Sequence, residues 1–142
     1  GINLHGNGYV FGDVGVFGCG GSSQTPFNTP SEIPESDIET YLTNGYNKVK
    51  NAKWKIMVCH TPPKNTVTDV VRSGMHVGSV TVRNSIEKHK PHVCISGHIH
   101  ESRGKDKIGD TIVLNAGMFR DGWYIEVVID KGVLSAVLKS VA

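Results

Sequence analysis

Trp54-Lys55-Ile56-Met57-Val58-Cys59-His60-Thr61-Pro62-Pro63 and His92-Val93-Cys94-Ile95-Ser96-Gly97-His98-Ile99-His100 decide how this chain folds. Each holds a short continuous apolar run bounded by turn residues, the pattern of a strand covered on both faces. Each run also ends in histidine. Between them, Thr81 to Lys90 reads as a helix, with Val82 and Ile86 on its apolar side. Its end is basic (Lys88, His89, Lys90), and Pro91 stops it. Strand, helix, strand in that order predicts α/β layering. Ligands of such sheets bind beyond the carboxyl ends of the strands, where both histidine segments fall.

Working outward, Ser36 to about Val49 reads as a second helix. It opens on a Ser-x-x-Glu capping box (Ser36, Glu39) and puts Ile38, Tyr41, Leu42 and Val49 near one face. Gly45 weakens its middle. Before it, Tyr9-Val10-Phe11 and Val14 to Phe17 read as strands leading into Gly18-Cys19-Gly20-Gly21. A weaker helical turn is expected at Thr68 to Arg72. Toward the end, Thr111 to Leu114 follows a Gly109-Asp110 turn, and Trp123–Ile129 and Val133–Leu138 flank Asp130-Lys131-Gly132 as a β-hairpin. The closing run of strands predicts mixed rather than wholly parallel sheets. The fold class expected is therefore α/β with an α+β-like ending.

The 142 residues suit one domain, and a chain of this size buries roughly 68–70% of its unfolded surface. Hydrophobic residues at 38% and charged residues at 20% exclude disordered and low-complexity classes. No apolar run approaches the roughly 18 residues of a membrane span, so no membrane partner is expected. Fifteen basic against thirteen acidic residues leave +2, which does not indicate nucleic acid. Cys19, Cys59 and Cys94 are odd in number and form no C-x-x-C, so they read as reduced, buried cysteines of a cytoplasmic protein. The chain opens Gly1-Ile2-Asn3 without an initiator Met, as a tag remnant or a start within a longer protein would.

Imidazole is a favoured ligand of Zn, Fe, Ni or Mn-type ions. In an irregular turn, His98 and His100 can point to two places, and two metals about 3.5–4 Å apart form the usual two-metal phosphoryl site. Pro62 and Pro63 fix the chain's exit behind His60. An alternative is one ion held by His60, His98 and His100 together, with water completing the shell. His76, in Gly74-Met75-His76-Val77-Gly78-Ser79, is a candidate for lining a substrate groove. Arg103 and Arg120 could meet phosphate oxygens, and Asn115 could support a ligand from behind. His5 reads as structural, and His89 and His92 as surface residues. Gly18 to Ser22 lacks the G-K-S/T of a Walker loop and reads as a turn.

His60-Thr61-Pro62-Pro63 and Gly97-His98-Ile99-His100-Glu101-Ser102 resemble the last two motifs of the calcineurin-like metallophosphoesterases, and more closely the small archaeal branch. Gly18 to Ser22, the Thr25-Pro26-Phe27 loop, Gly74 to Ser79 and Asn115-Ala116-Gly117 extend the resemblance over most of the chain. It implies paired β-sheets flanked by helices, two divalent metal ions, and hydrolysis of phosphomonoesters or phosphodiesters. By motif, His60 and His98 would hold the second metal and His100 the first.

The family's upstream motifs, D-x-H, G-D-x-x-D and G-N-H-D/E or G-N-C-D, have no convincing counterpart. Asn3-Leu4-His5 puts Asn where a bridging carboxylate belongs, and Gly12-Asp13-Val14-Gly15-Val16 puts Val16 where the second Asp belongs. Gly6-Asn7-Gly8 lacks the His or Cys after Asn. Residues 1–142 are thus expected to be the C-terminal part of a metallophosphoesterase domain, inactive alone. They would pair with an N-terminal segment or with a second copy. The alternative from another functional class is a non-catalytic interaction module of the same fold.

Overall fold

In the computed structural model, residues 1–25, 28 and 30–141 are described. Two strands, β1 (Asn7–Phe11) and β2 (Val14–Cys19), form a hairpin and are followed by two very short strands, β3 (Ser22–Ser23) and β4 (Glu32–Ile33). Then come α1 (Glu35–Val49), β5 (Trp54–Cys59), α2 (Val80–His89) and β6 (Val93–Ser96). The chain closes with β7 (Gly104–Ile108), β8 (Thr111–Asn115), a short 3₁₀ turn at Phe119–Asp121, β9 (Trp123–Asp130) and β10 (Val133–Ser140).

Six strands make one mixed sheet in the order β1-β2-β5-β6-β8-β7. The four central strands run parallel, and an antiparallel strand flanks them on each side. Alternation along the strands sends side chains to two different cores. Met57, Cys94 and Val113 join Ile38, Leu42, Val82 and Ile86 under the two helices. Ile56, Val93, Ile95, Ile112 and Leu114 face the other way, against Ile125, Val127, Leu134 and Ala136 of the β9–β10 hairpin. The result is helices, mixed sheet and hairpin in three layers. Two-sided burial is why β5, β6 and β8 read as continuous apolar runs. No helix among the described residues is long and apolar enough to cross a membrane.

Local details depart from expectation in instructive places. The Ser36–Glu39 capping box does not form. Pro34 is extended, and its carbonyl accepts from the N–H groups of Asp37 and Ile38, so α1 starts at Glu35. Gly45 is a close-approach residue: a Cβ there would lie 2.6 Å from the Asn7 carbonyl oxygen, so glycine lets α1 press onto β1. Thr68 to Arg72 is not helical. It belongs to an irregular loop in which Val70 bridges His76. α2 forms as expected, capped by the Ser79 hydroxyl accepting from the Val82 N–H at 3.0 Å, with Lys90 left-handed at its end.

Candidate metal and phosphoester site

Because β2, β5, β6 and β8 are parallel and in register, their carboxyl ends come out together. Cys19 stands beside Cys59, and Ser96 beside Asn115. Beyond these ends the ladder runs on into the loops, with the His60 N–H donating to the Cys19 carbonyl at 3.0 Å and the Gly97 N–H to the His60 carbonyl at 3.1 Å. His60 and His98 are thus placed by backbone pairing.

His98 takes a left-handed backbone conformation (φ 61°), a strained choice for a non-glycine residue that recurs at functional sites. It brings His98 Nδ1 to 3.1 Å from His60 Nε2, with the rings 4.8 Å apart. Partial burial, reinforced by the charge of His100, holds the His60 imidazole below its ordinary pKa. The same burial lowers His98, with His60 and His100 adding to it and the Glu32 carboxylate opposing. Both rings are therefore kept neutral, the state that donates to a metal.

The loop carrying His98 and His100 is fastened from beneath by Asn115, which is fully buried. Its Nδ2 donates to the Ile99 carbonyl at 2.9 Å and the Thr68 carbonyl at 3.1 Å, while its Oδ1 accepts from the Gly117 N–H at 2.8 Å. Ser102 fastens the same loop to the one that follows His60. Its hydroxyl donates to the Val67 carbonyl at 2.6 Å and accepts from the Val70 N–H at 2.8 Å. Glu101 accepts from the Arg72 N–H at 2.7 Å. A cavity of about 390 Å³ adjoins this edge of the sheet, lined in part by His5, Cys19, Cys59, His60 and Gly97.

Among the described residues, no three His, Cys, Asp or Glu side chains gather closely enough to hold one ion. The arrangement of one ion under three histidines is therefore not formed: His60 and His98 meet, and His100 is exposed. His76 stands elsewhere, on the loop after His60, with its Nδ1 2.6 Å from Asp69 Oδ1. Arg103 lies 4.3 Å over the Trp123 ring, and Arg120 is 4.0 Å from Asp121. His5 is structural as expected, its Nδ1 accepting from the Gly20 N–H at 2.9 Å. His89 and His92 are half-buried rather than plain surface residues: His89 stacks on Tyr46 at 3.9 Å and His92 tilts against Trp54 at 4.8 Å. Pro26 and Phe27 of the Thr25-Pro26-Phe27 loop lie outside the described residues.

Two carboxylates escape the reading of the sequence. Asp69 sits in Thr66-Val67-Thr68-Asp69-Val70-Val71, where no spacing marks it. Glu32 accepts from the Thr25 N–H and hydroxyl at 2.8 and 2.7 Å, and it lies near enough to His98 to raise it electrostatically. The three cysteines are free and buried. Cys19 and Cys59 pair across neighbouring strands, and their interaction lowers the Cys19 thiol to about 6 and, with burial, raises Cys59 well above the ordinary value.

Layering of this kind, with histidines gathered beyond the ends of parallel strands, defines an α/β protein with a candidate site at the carboxyl ends of its parallel strands. The chain belongs to the calcineurin superfamily of metallophosphoesterases, which residues 7–134 match. It is 47% identical over 107 residues to an uncharacterised protein of Methanocaldococcus jannaschii, across 72% of this chain and 48% of the relative. One crystal structure, 24% identical, has a TM-score of 0.74 and covers 98% of this chain and 54% of its own. A Thermus thermophilus protein, 19% identical, has a TM-score of 0.65, with 99% and 59% covered. The chain thus spans about half the length of these relatives.

Proposed function

We propose that residues 1–142 form the histidine-bearing part of a binuclear metallophosphoesterase centre that hydrolyses phosphomonoesters or phosphodiesters in the cytoplasm. The observation that carries this reading is the 3.1 Å approach of His60 Nε2 to His98 Nδ1. Two nitrogens that share one ion at about 2.0–2.1 Å each stand about 2.9–3.4 Å apart, so the pair needs little adjustment to chelate. In this reading His60 and His98 hold one divalent ion of the Mn, Zn, Fe or Ni type, and His100 takes part in holding the other. The ions supply charge stabilisation at the phosphoryl oxygens. Asn115 and Ser102 keep the histidine loop in place, and His76 faces the substrate.

Three imidazoles without bridging carboxylates hold two dications poorly, so the acidic ligands come from residues outside these 142. The lack of any three-ligand cluster among the described residues favours a second reading, a non-catalytic interaction module. The test compares this chain with the polypeptide translated from further upstream in the same reading frame. Metal content and turnover of an aryl phosphodiester are measured on both. Weak metal binding without turnover by the chain alone, and two ions with turnover by the longer polypeptide, are expected. Two-ion binding and brisk turnover by the 142 residues would overturn the partial-site reading. An inert longer polypeptide would establish the interaction module.

A further inference from the structure

Cys19 and Cys59 have no part in the phosphoester chemistry, yet they stand side by side directly beneath it. They face each other in register on β2 and β5, which are parallel neighbours. Side chains in register point to the same face, and both residues pack in the core under the helices. Neighbouring strands lie about 4.8 Å apart, inside the span of roughly 4.4–6.8 Å between Cα atoms that a disulfide bridges. Both are free thiols, buried to 2% and 1% exposure. Both also line the cavity of about 390 Å³ that adjoins these strand ends, so a molecule small enough to enter it reaches the pair.

Cys94 is placed differently. It pairs with Met57, two residues before Cys59, so its Cα lies about 8 Å from that of Cys59, too far to bridge. It is fully buried, is not among the residues lining that cavity, and has its Sγ 3.8 Å from the Ser96 hydroxyl.

We infer that Cys19 and Cys59 form a reversible redox site, which closes to a disulfide when a hydroperoxide enters the cavity and reopens to thiol reductants. One sulfur attacks a peroxide oxygen, the O–O bond breaks, and a sulfenic acid and one water result. The other sulfur then displaces the sulfenic oxygen as a second water and forms the S–S bond. The two thiols give up two electrons and two protons, and hydrogen peroxide leaves as two waters. No metal and no phosphoester enters these steps, so the site stands whether or not the phosphoesterase reading holds.

Cys59 precedes His60, whose N–H donates to the Cys19 carbonyl at 3.0 Å. Paired side chains on neighbouring strands start about 4.8 Å apart, wider than the roughly 3.8 Å between the Cβ atoms of a disulfide. Closure therefore draws the two strand ends together, and His60 moves with them relative to His98. A bond closed against such strain is also one that reductants open readily.

The test treats the folded 142-residue chain with hydrogen peroxide, blocks the remaining thiols with N-ethylmaleimide in denaturant, and digests with trypsin without reductant. The expected product joins peptides 1–48 and 56–64, two hydrogens lighter than their sum, with Cys94 recovered as a blocked thiol. Dithiothreitol is expected to separate them, which sets the disulfide apart from methionine sulfoxide, whose reversal takes a reductase. The ring NMR signals of His60 and His98 are expected to shift on oxidation and return on reduction. They should stay unmoved by peroxide in Cys19→Ser, while Cys94→Ser follows the parent. Should a variant fail to fold, the peptide map of the parent decides alone. A link from Cys59 to Cys94, sulfinic acid without a link, or thiols that survive peroxide until the chain is unfolded overturn the redox site. Histidine signals that ignore the bond overturn its coupling to His60.

Discussion

His60 Nε2 and His98 Nδ1 meet at 3.1 Å although 38 residues separate them, because β5 and β6 are parallel neighbours that end side by side. The left-handed backbone of His98 turns its ring back toward His60. Each ring is half of a chelating pair, so removing either leaves a single nitrogen. His60→Ala and His98→Ala should each weaken Mn²⁺ or Zn²⁺ binding to the complete protein by at least about 10–100-fold, the loss usual even for groups that only orient ligands. The double variant should lose little more than either single one. Titration calorimetry checks both points, and additive losses would show that the two rings do not share an ion.

Asn115 makes three hydrogen bonds with its one buried amide, two of them to carbonyls from different loops. Asn115→Ala strands the Thr68 carbonyl and the Gly117 N–H, and leaves the Ile99 carbonyl with only its bond from the Ser102 N–H. Unsatisfied groups of this kind cost about 1–3 kcal/mol each at most, so a loss of about 3 kcal/mol in stability is expected. Urea unfolding measures it. Amide exchange should also quicken around Ser102, whose N–H bonds the Ile99 carbonyl at 3.1 Å. A loss below about 1 kcal/mol would mean that water takes over these partners.

The parts of this arrangement that the sequence discloses are those with a period or a run. β5, β6 and β8 are apolar on both faces because helices cover one side and a hairpin the other, so continuous runs announce them. β7 goes unread because Gly104-Lys105-Asp106-Lys107-Ile108 is an edge strand whose charges meet solvent, and only Ile108 is buried. β3 and β4, two residues each, are too short to show a period. His60, His98 and His100 are legible from their places at strand ends. Asp69 is not, since its partners are mostly backbone N–H groups brought to it by a loop that no local pattern encodes. His89 and His92 read as surface residues because their aromatic covers, Tyr46 and Trp54, lie 43 and 38 positions away and on other elements.

Acid should weaken the fold from neutrality downward. Burial lowers the pKa of His60, His89, His92 and His98 below the ordinary 6.5. For such groups the unfolded chain binds protons first as pH falls. Their stabilising contribution is complete above about 6.5 and is lost as pH drops through the lowered folded values. At His92 burial and then the Lys55 charge lower it, and its Nδ1 accepts from the Lys55 N–H at 3.1 Å, a bond that a protonated ring would lose. His92→Asn offers an amide oxygen in place of Nδ1 and does not titrate. Urea midpoints at pH 7.5, 6.5 and 5.5 should fall in the parent and fall less in His92→Asn. Parallel slopes would remove His92 from the account.

Gly78 and Gly97 border the same site, yet they should respond oppositely to a single methyl. A Cβ on Gly78 would lie 2.6 Å from the Pro62 carbonyl oxygen and 2.8 Å from the Cβ and Oδ2 of Asp69. Two of these are parts of the chain that cannot swing aside, so Gly78→Ala must open the base of the His76 loop. Overpacking of this kind costs about 1–3 kcal/mol. A Cβ on Gly97 meets nothing within 4 Å, so Gly97→Ala should stay within about 0.5 kcal/mol of the parent. Melting curves compare the two, and amide exchange locates the damage. In Gly78→Ala the N–H of Ser79, now donating to the Pro62 carbonyl at 2.9 Å, should exchange faster, while the N–H of Gly97 on the His60 carbonyl stays protected. Equal tolerance of both methyls would mean that the loop after His60 is held less closely to its base than these distances require.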